Sequence, residues 1–189
     1  MVMNQAVHVF VFDGLADWEI GRVTYDLRTA NGIPLRTFAL TDGIVTTGGG
    51  LRIVPDKTVK DVAVEDISLL ILPGGSMWES ENPEALLPLV SSLFQNHVPV
   101  AAICGATIFL AQNGFLNGRS HTSNGKSYLL EGVSDYEGED LYVDEPIAAT
   151  DDLITANGKY PIEFSHAILG RLKVYEAETL DAFLAFWKG

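Results

Sequence analysis

Cysteine is nearly absent from this chain: among 189 residues only Cys104 carries a thiol. One thiol cannot close an internal disulfide. That excludes a disulfide-stapled secreted scaffold and fits a reducing, cytoplasmic compartment. Positive charge is scarce as well, with 12 Lys and Arg against 25 Asp and Glu and a net charge of −13. A nucleic-acid surface needs clustered cations to neutralise phosphates, so no nucleic-acid partner is expected. The same imbalance weakens long-range capture of anionic substrates. There is no long apolar run and no basic leader, so neither a signal peptide nor a membrane span is expected. His-x-His, His-Glu-x-x-His and Cys-x-x-Cys spacings are missing, which argues against a metal site. No repeat, low-complexity tract or linker interrupts the sequence. The expectation is one domain over residues 1–189, with no cofactor.

What is present alternates between two periodicities. Val7–Phe12 is a run of β-branched and aromatic residues closed by Asp13-Gly14, and it reads as a strand buried on both faces. Residues 16–31 read as a helix stopping near Asn31-Gly32. Leu35–Leu40 is a second strand, and Thr46–Gly50 a hairpin or loose edge ribbon. Ile67–Leu72 is another buried strand, followed at once by Pro73-Gly-Gly-Ser76. Residues 83–96 have helical spacing, with Pro88 forcing either a kink or a late start. Val98–Ile103 is a strand, and a helix follows Cys104 with Gly114 as its stop. Residues 132–146 are acidic and turn-rich, a surface excursion. Ile147–Thr150 and Leu153–Thr155 make a hairpin, and helices near 161–171 and 177–187 close the chain. Strands alternating with helices predict an α/β fold with a mostly parallel sheet.

In such a sheet, sites form beyond the carboxyl ends of the strands. Three pieces meet there. Cys104 sits between a strand and a helix, on a sharp turn that presents the thiol away from the sheet. The free N–H groups of a helix start favour a thiolate, so a depressed thiol pKa is expected. The Pro73-Gly74-Gly75 turn, together with Gly105, offers backbone N–H groups as an oxyanion hole. Glu19, early in the first helix, supplies a carboxyl able to hold a proton near the sulfur; Asp17 fits a helix-start acid better. Of the four histidines, His8 reads as structural, His97 as exposed and His166 as packing. His121 follows the cysteine helix and is the candidate third catalytic group.

Five strings in order resemble the ThiJ/PfpI family (the DJ-one superfamily), of class I glutamine amidotransferase-like proteins. They are Phe12–Ile20, Leu72–Gly75, Ala101–Thr107, Gly118–Asn124 and Ile154–Gly158 leading into Glu163–Leu169, so the resemblance spans nearly the whole chain. It implies a flavodoxin-like three-layer sandwich, often a homodimer, with a strand-to-helix nucleophile elbow at Cys104. It implies Glu19 as the protonated acid on that thiol and Gly75 and Gly105 as the N–H donors. Many members place a histidine where Asn124 stands here. His121 lies three residues earlier, and an odd offset on an extended strand turns the side chain to the other face. A late His-Pro-Glu is also missing; the nearest string is Tyr160-Pro-Ile-Glu163. Glutaminase activity through the usual triad is therefore not expected.

Three functional readings follow from the residues and the resemblance. The first is a cysteine-dependent enzyme acting on a small carbonyl, amide or thioester substrate, a cysteine hydrolase or a glyoxalase- or deglycase-like enzyme. The second is a non-catalytic redox-sensing or stress-protective protein that uses oxidation of Cys104. The third is a ligand-binding module that keeps the pocket without turnover. A small-molecule partner is common to the enzymatic and binding readings.

Overall fold

A computed structural model describes residues 5–29 and 32–188 of the chain. The elements run β1 (Ala6–Phe10), α1 (Asp17–Thr29), β2 (Leu35–Ala39), β3 (Val45–Thr46), β4 (Arg52–Ile53), β5 (Lys57–Thr58), β6 (Ile67–Leu72) and α2 (Met77–Ser80). They continue with α3 (Leu87–Gln95), β7 (Val100–Ile103), α4 (Ala106–Gln112), α5 (Lys126–Gly132), β8 (Ile147–Ala149), β9 (Leu153–Ala156), α6 (Pro161–Arg171) and α7 (Ala177–Lys188).

Seven strands form one sheet in the order β5-β2-β1-β6-β7-β9-β8. Every neighbouring pair is parallel except β8 with β9. Residues of β1, β7 and β9 are all buried, and β6 is buried at all but one position. Continuous apolar runs follow from that double-sided burial, since helices cover both faces of a parallel sheet. α1 packs on α6 and α6 on α7, while α2, α4 and α5 make a second contacting group. This is the α/β fold with a mostly parallel sheet that the strand–helix alternation predicts, and the flavodoxin-like three-layer sandwich that the resemblance implies.

The connection order changes direction between β1 and β6. β1 continues outward to β2 and β5, whereas β6 leads to β7, β9 and β8 on the other side. The carboxyl ends of β1, β6, β7 and β9 therefore stand side by side, and a crevice at such a reversal is where open α/β sheets bind ligands.

Several local expectations meet their physical resolution here. Pro88 is accommodated in the first turn of α3, after a 3-10 turn over Glu84–Leu86; the regular helix starts late rather than kinking. Thr46–Gly50 joins β3 to β4 in a separate two-stranded antiparallel ribbon. The edge strand β5 pairs Lys57 with Phe38 and Thr58 with Ala39; two half-buried polar residues give no strand periodicity to read. Thr122 and Ser123 belong to no sheet strand. The extended segment there is anchored by one bridge, between His121 and Tyr142. The helix stop expected at Asn31 lies outside the described residues. Among the described residues no helix is long and apolar enough to cross a membrane.

Candidate functional site: a thiol and a carboxyl between two glycine turns

Cys104 follows β7 directly, in the left-handed backbone region at φ 59°. A non-glycine residue there is strained, and such strain concentrates where a side chain must be aimed. The turn is fixed from several sides. The Cys104 N–H donates to the Ala156 carbonyl of β9 at 2.9 Å. Its carbonyl accepts the Thr107 hydroxyl at 2.6 Å, and that hydroxyl also bonds Ser123 Oγ at 2.6 Å. Below the turn, Trp78 is fully buried and donates its indole N–H to the Pro73 carbonyl at 2.8 Å.

Glu19 is 1% exposed although it is an acid on a surface helix. Its position on α1 points it across the carboxyl ends of β1 and β6. Oε2 accepts the Gly74 N–H at 2.7 Å, and the carboxyl lies close enough to Cys104 for each group to shift the other's titration. The expected thiol–acid pair is therefore assembled by the fold.

Two glycines close on this pair. A Cβ on Gly74 would lie 2.6 Å from both Cys104 Cβ and Glu19 Oε2. A Cβ on Gly158, just after β9, would lie 2.9 Å from Cys104 Sγ and 3.0 Å from Glu19 Oε1. Any side chain at either place would push the two groups apart. Gly158 was not singled out from the sequence as a site residue. Its signal was present only as the end of the Ile154–Gly158 string, where a glycine after a strand reads as an ordinary turn.

Asn124 is the third neighbour of the sulfur. Its Nδ2 donates to Cys104 Sγ at 3.1 Å, while its Oδ1 accepts the Gly158 N–H at 2.9 Å. The second bond fixes the amide orientation, because only the carbonyl end can accept an N–H. Asn124 thus contributes a hydrogen-bond donor to the sulfur without a titratable base.

The structure does not bring His121 to the thiol. Its Nδ1 bonds the Arg119 carbonyl at 2.7 Å and its Nε2 bonds the Tyr136 hydroxyl. The ring is fully buried against Tyr136 and Tyr142, and burial lowers its pKa. With both nitrogens engaged, the imidazole anchors the 132–146 excursion instead of serving the elbow. Asp17 accepts from the Thr47 hydroxyl and from the Gly49 N–H, tying α1 to the β3–β4 ribbon. His97 is exposed and His8 is buried with its Nδ1 on the Ala6 carbonyl. Among the described residues no cluster of three or more His, Cys, Asp or Glu side chains is set to hold a metal ion.

The two candidate oxyanion-hole turns lie against each other. A Cβ on Gly105 would sit 2.9 Å from the Gly75 carbonyl oxygen. Gly105 donates its N–H toward the Cys104 sulfur. Beside the Gly75 turn a cleft of about 420 Å³ opens, lined by Phe12, Asp13, Thr41, Ser76 and Met77 among others. Cys104 is not in its lining; the cleft approaches the site from the β1–β2 side.

Burial pushes both members of the pair toward their protonated forms. It drives Glu19 from an ordinary 4.5 up to about 6, against the pull of the Gly74 N–H. It drives the Cys104 thiol up to about 11, the Glu19 charge adding to the rise while Asn124 and Gly105 oppose it. This reverses the depression expected from a helix start alone. α4 is only seven residues long, so its terminus offers little against desolvation and a facing carboxylate. Between those values the pair carries one negative charge and one proton.

The DJ-1/PfpI family model matches residues 5–171. This chain belongs to the DJ-1/PfpI family. A Bacillus subtilis (strain 168) protein named "Uncharacterized protease YoaZ" is 33% identical over 96% of this chain and 90% of its own length. The solved DJ-1 superfamily protein Atu0886 from Agrobacterium tumefaciens superposes with a TM-score of 0.88 at 28% identity, covering 96% of this chain and 97% of that one. A thiJ/pfpI family protein from Bacillus anthracis gives a TM-score of 0.86 at 34% identity, over 96% of this chain and 88% of the other.

The raised Glu19 pKa has a consequence for stability. The folded state holds this proton more tightly than the unfolded chain does. The charged carboxylate therefore costs stability, and the cost grows as pH rises from 4.5 to about 6 and is complete above that. A shift of that size corresponds to about 2 kcal/mol. Glu19→Gln keeps an oxygen for the Gly74 N–H and removes the charge. Denaturant unfolding at pH 8 is expected to show the variant more stable than wild type by up to that amount, with the advantage vanishing near pH 4. Equal stabilities at pH 8 would mean that Glu19 is not desolvated as described.

Proposed function

We propose that this protein is a cysteine-dependent enzyme acting on a small carbonyl, amide or thioester substrate through the Cys104–Glu19 pair. The observation that carries the reading is a buried carboxyl held beside the one thiol of the chain between Gly74 and Gly158, where desolvation pushes it up to about 6. A general base is most effective when its pKa lies near the working pH.

The step balances as follows. The sulfur lone pair forms an S–C bond to the carbonyl carbon as the S–H proton passes to Glu19. The carbonyl π pair moves to oxygen; the Gly75 N–H is the donor proposed for that oxyanion, joined by the Gly105 N–H as the sulfur's charge passes into the new S–C bond. Among the described residues no backbone hydrogen bond engages the Gly75 N–H. Glu19 then returns its proton, to the oxyanion of an aldehyde adduct or to a departing group. Amides need the most help, since their leaving amine must be protonated as it departs. Without an imidazole at the sulfur that help falls to Glu19 alone, so glutamine is expected to be a poor substrate.

A second reading is favoured by the same missing imidazole. Oxidant sensing needs only a reachable thiol and a neighbouring acid. One peroxide oxidises the thiol to a sulfenic acid with release of water, and a second carries it to the sulfinic acid.

A homodimer belongs to this proposal. Trp18, Tyr25, Phe186 and Trp187 are exposed on α1 and α7, and Arg22 stacks 4.4 Å from the Phe183 ring and 4.6 Å from that of Trp187. An aromatic face of this kind marks an interaction surface on a soluble chain. Light scattering is expected to give a dimer that Trp187→Glu weakens; a wild-type monomer would remove this part of the proposal.

The activity test uses methylglyoxal, an activated ester and glutamine. Wild type should turn over at least one of the first two, Cys104→Ala should abolish it, and His121→Ala should keep it within about threefold. That tolerance is small beside the roughly 10²–10⁴-fold that a general base contributes. If His121→Ala removes the activity, the imidazole reaches the reaction after all. If wild type is inert on all three while peroxide oxidises Cys104, the sensing reading replaces the enzymatic one.

A further inference from the structure

His121 is a buried titratable group that the chemistry at Cys104 leaves unused, and its bonds fix its protonation state. Nδ1 faces the Arg119 carbonyl at 2.7 Å. A carbonyl oxygen only accepts, so Nδ1 carries the ring hydrogen. In the neutral ring Nε2 is then an acceptor, and the Tyr136 hydroxyl donates to it. The ring has no solvent exposure, and Tyr142 stands edge-on to it. A Cβ on Gly138 would lie 2.8 Å from the His121 Cε1 and 3.3 Å from Nε2, so only a glycine lets the backbone close on the imidazole there. Three backbone bonds complete the closure. The His121 N–H donates to the Leu141 carbonyl at 3.2 Å, the Val143 N–H to the His121 carbonyl at 2.9 Å, and the Leu141 N–H to the Gly138 carbonyl at 3.0 Å.

A proton added to this ring finds no partner. Nε2 would become a donor aimed at the hydroxyl that now donates to it. Among the described residues no carboxylate pairs with His121. The groups that face the ring are the Tyr136 and Tyr142 phenols and the Arg119 carbonyl. The Arg119 guanidinium is turned to Asp152, and Glu139 is paired with Lys126. A buried cation without a counter-charge is costly, and burial lowers the His121 pKa against the pull of the Arg119 carbonyl.

We propose that His121 is an acid-sensitive latch for residues 133–144: the neutral ring holds this segment closed, and protonation releases Tyr136 and lets the segment open. Opening is bounded on the side of the thiol. The Thr122 hydroxyl donates to the Glu145 carbonyl at 2.7 Å and the Asn157 N–H to the Pro146 carbonyl at 3.1 Å. Neither bond involves the imidazole, so the segment moves while the contacts of Asn124 and Gly158 with the sulfur are kept. The latch therefore stands apart from turnover at Cys104, and either proposal can fail without the other.

The direction of the pH effect follows from linkage. The open segment exposes an ordinary imidazole with a pKa of about 6.5, whereas the closed one binds the proton less tightly. Closure is unaffected well above that value. It weakens as pH falls below it, until the closed ring itself takes the proton. The test is amide hydrogen exchange of the full chain, read as protection factors so that the intrinsic pH dependence of exchange is removed. Leu141, Tyr142 and Val143 are expected to lose protection about tenfold between pH 7 and pH 5, while the amides of β7 keep theirs. His121→Gln retains an N–H for Arg119 and a carbonyl for Tyr136 but cannot titrate, so its protection at these amides should be flat over the same range. Constant wild-type protection overturns the proposal. So does an equal fall in His121→Gln, which would assign the response to the carboxylates of the segment. If the variant is already open at pH 7, NMR titration of the wild-type ring decides. A midpoint below 6.5 sustains the latch, and one at 6.5 or above overturns it.

Discussion

One proton shared by a buried carboxyl and a partly buried thiol organises this molecule. Cys104 and Glu19 lie side by side where solvent is restricted, so two negative charges there are costly and one is tolerable. Each group alone is ordinary. Together they form a unit that carries a single charge across the neutral range. The surrounding contacts divide according to where they favour the charge. The Gly74 N–H favours the carboxylate; the Asn124 amide and the Gly105 N–H favour the sulfur.

The fold serves this pair through the ends of four neighbouring strands. β1 leads to Glu19, β6 to Gly74 and Gly75, β7 to Cys104 and β9 to Gly158. The sheet core fixes those ends, because its strands are buried on both faces and cannot slip register without exposing apolar side chains. The glycines at 74 and 158 let the backbone of two strands close over the pair from either side. The strain at Cys104 is held by bonds from β9 and α4, so the thiol stays aimed whether or not a ligand is present.

Much of this was legible in the residues. The strands β1, β6, β7 and β9 are short apolar runs bounded by turn residues, and such runs have few other ways to be buried. The acid–thiol pair was legible because both groups follow strands whose carboxyl ends share one edge. Three things were hidden, each for a physical reason. The two-residue strand β5 has no side-chain pattern, since its register is set by backbone pairing with β2. Gly158 looks like any turn glycine until the distance to the sulfur is known. The direction of the thiol's titration depends on how much water the folded chain leaves at Cys104, which no local string encodes. Asn124 meets the sulfur and His121 does not, but the segment is held by a lone bridge rather than a sheet strand, so the alternation of faces along a strand does not apply there.

The central claim is that at neutral pH the shared proton rests on sulfur and the charge on Glu19. Because Cys104 is the only cysteine, its S–H stretching band stands alone in the Raman difference spectrum of wild type against Cys104→Ala. The account predicts that this band is present at pH 8 and persists as pH is raised, until it fades toward a midpoint of about 11. A spectrum with no S–H band at pH 8, accompanied by the carbonyl band of a protonated carboxylic acid that Glu19→Gln removes, would contradict it and place the charge on the thiolate.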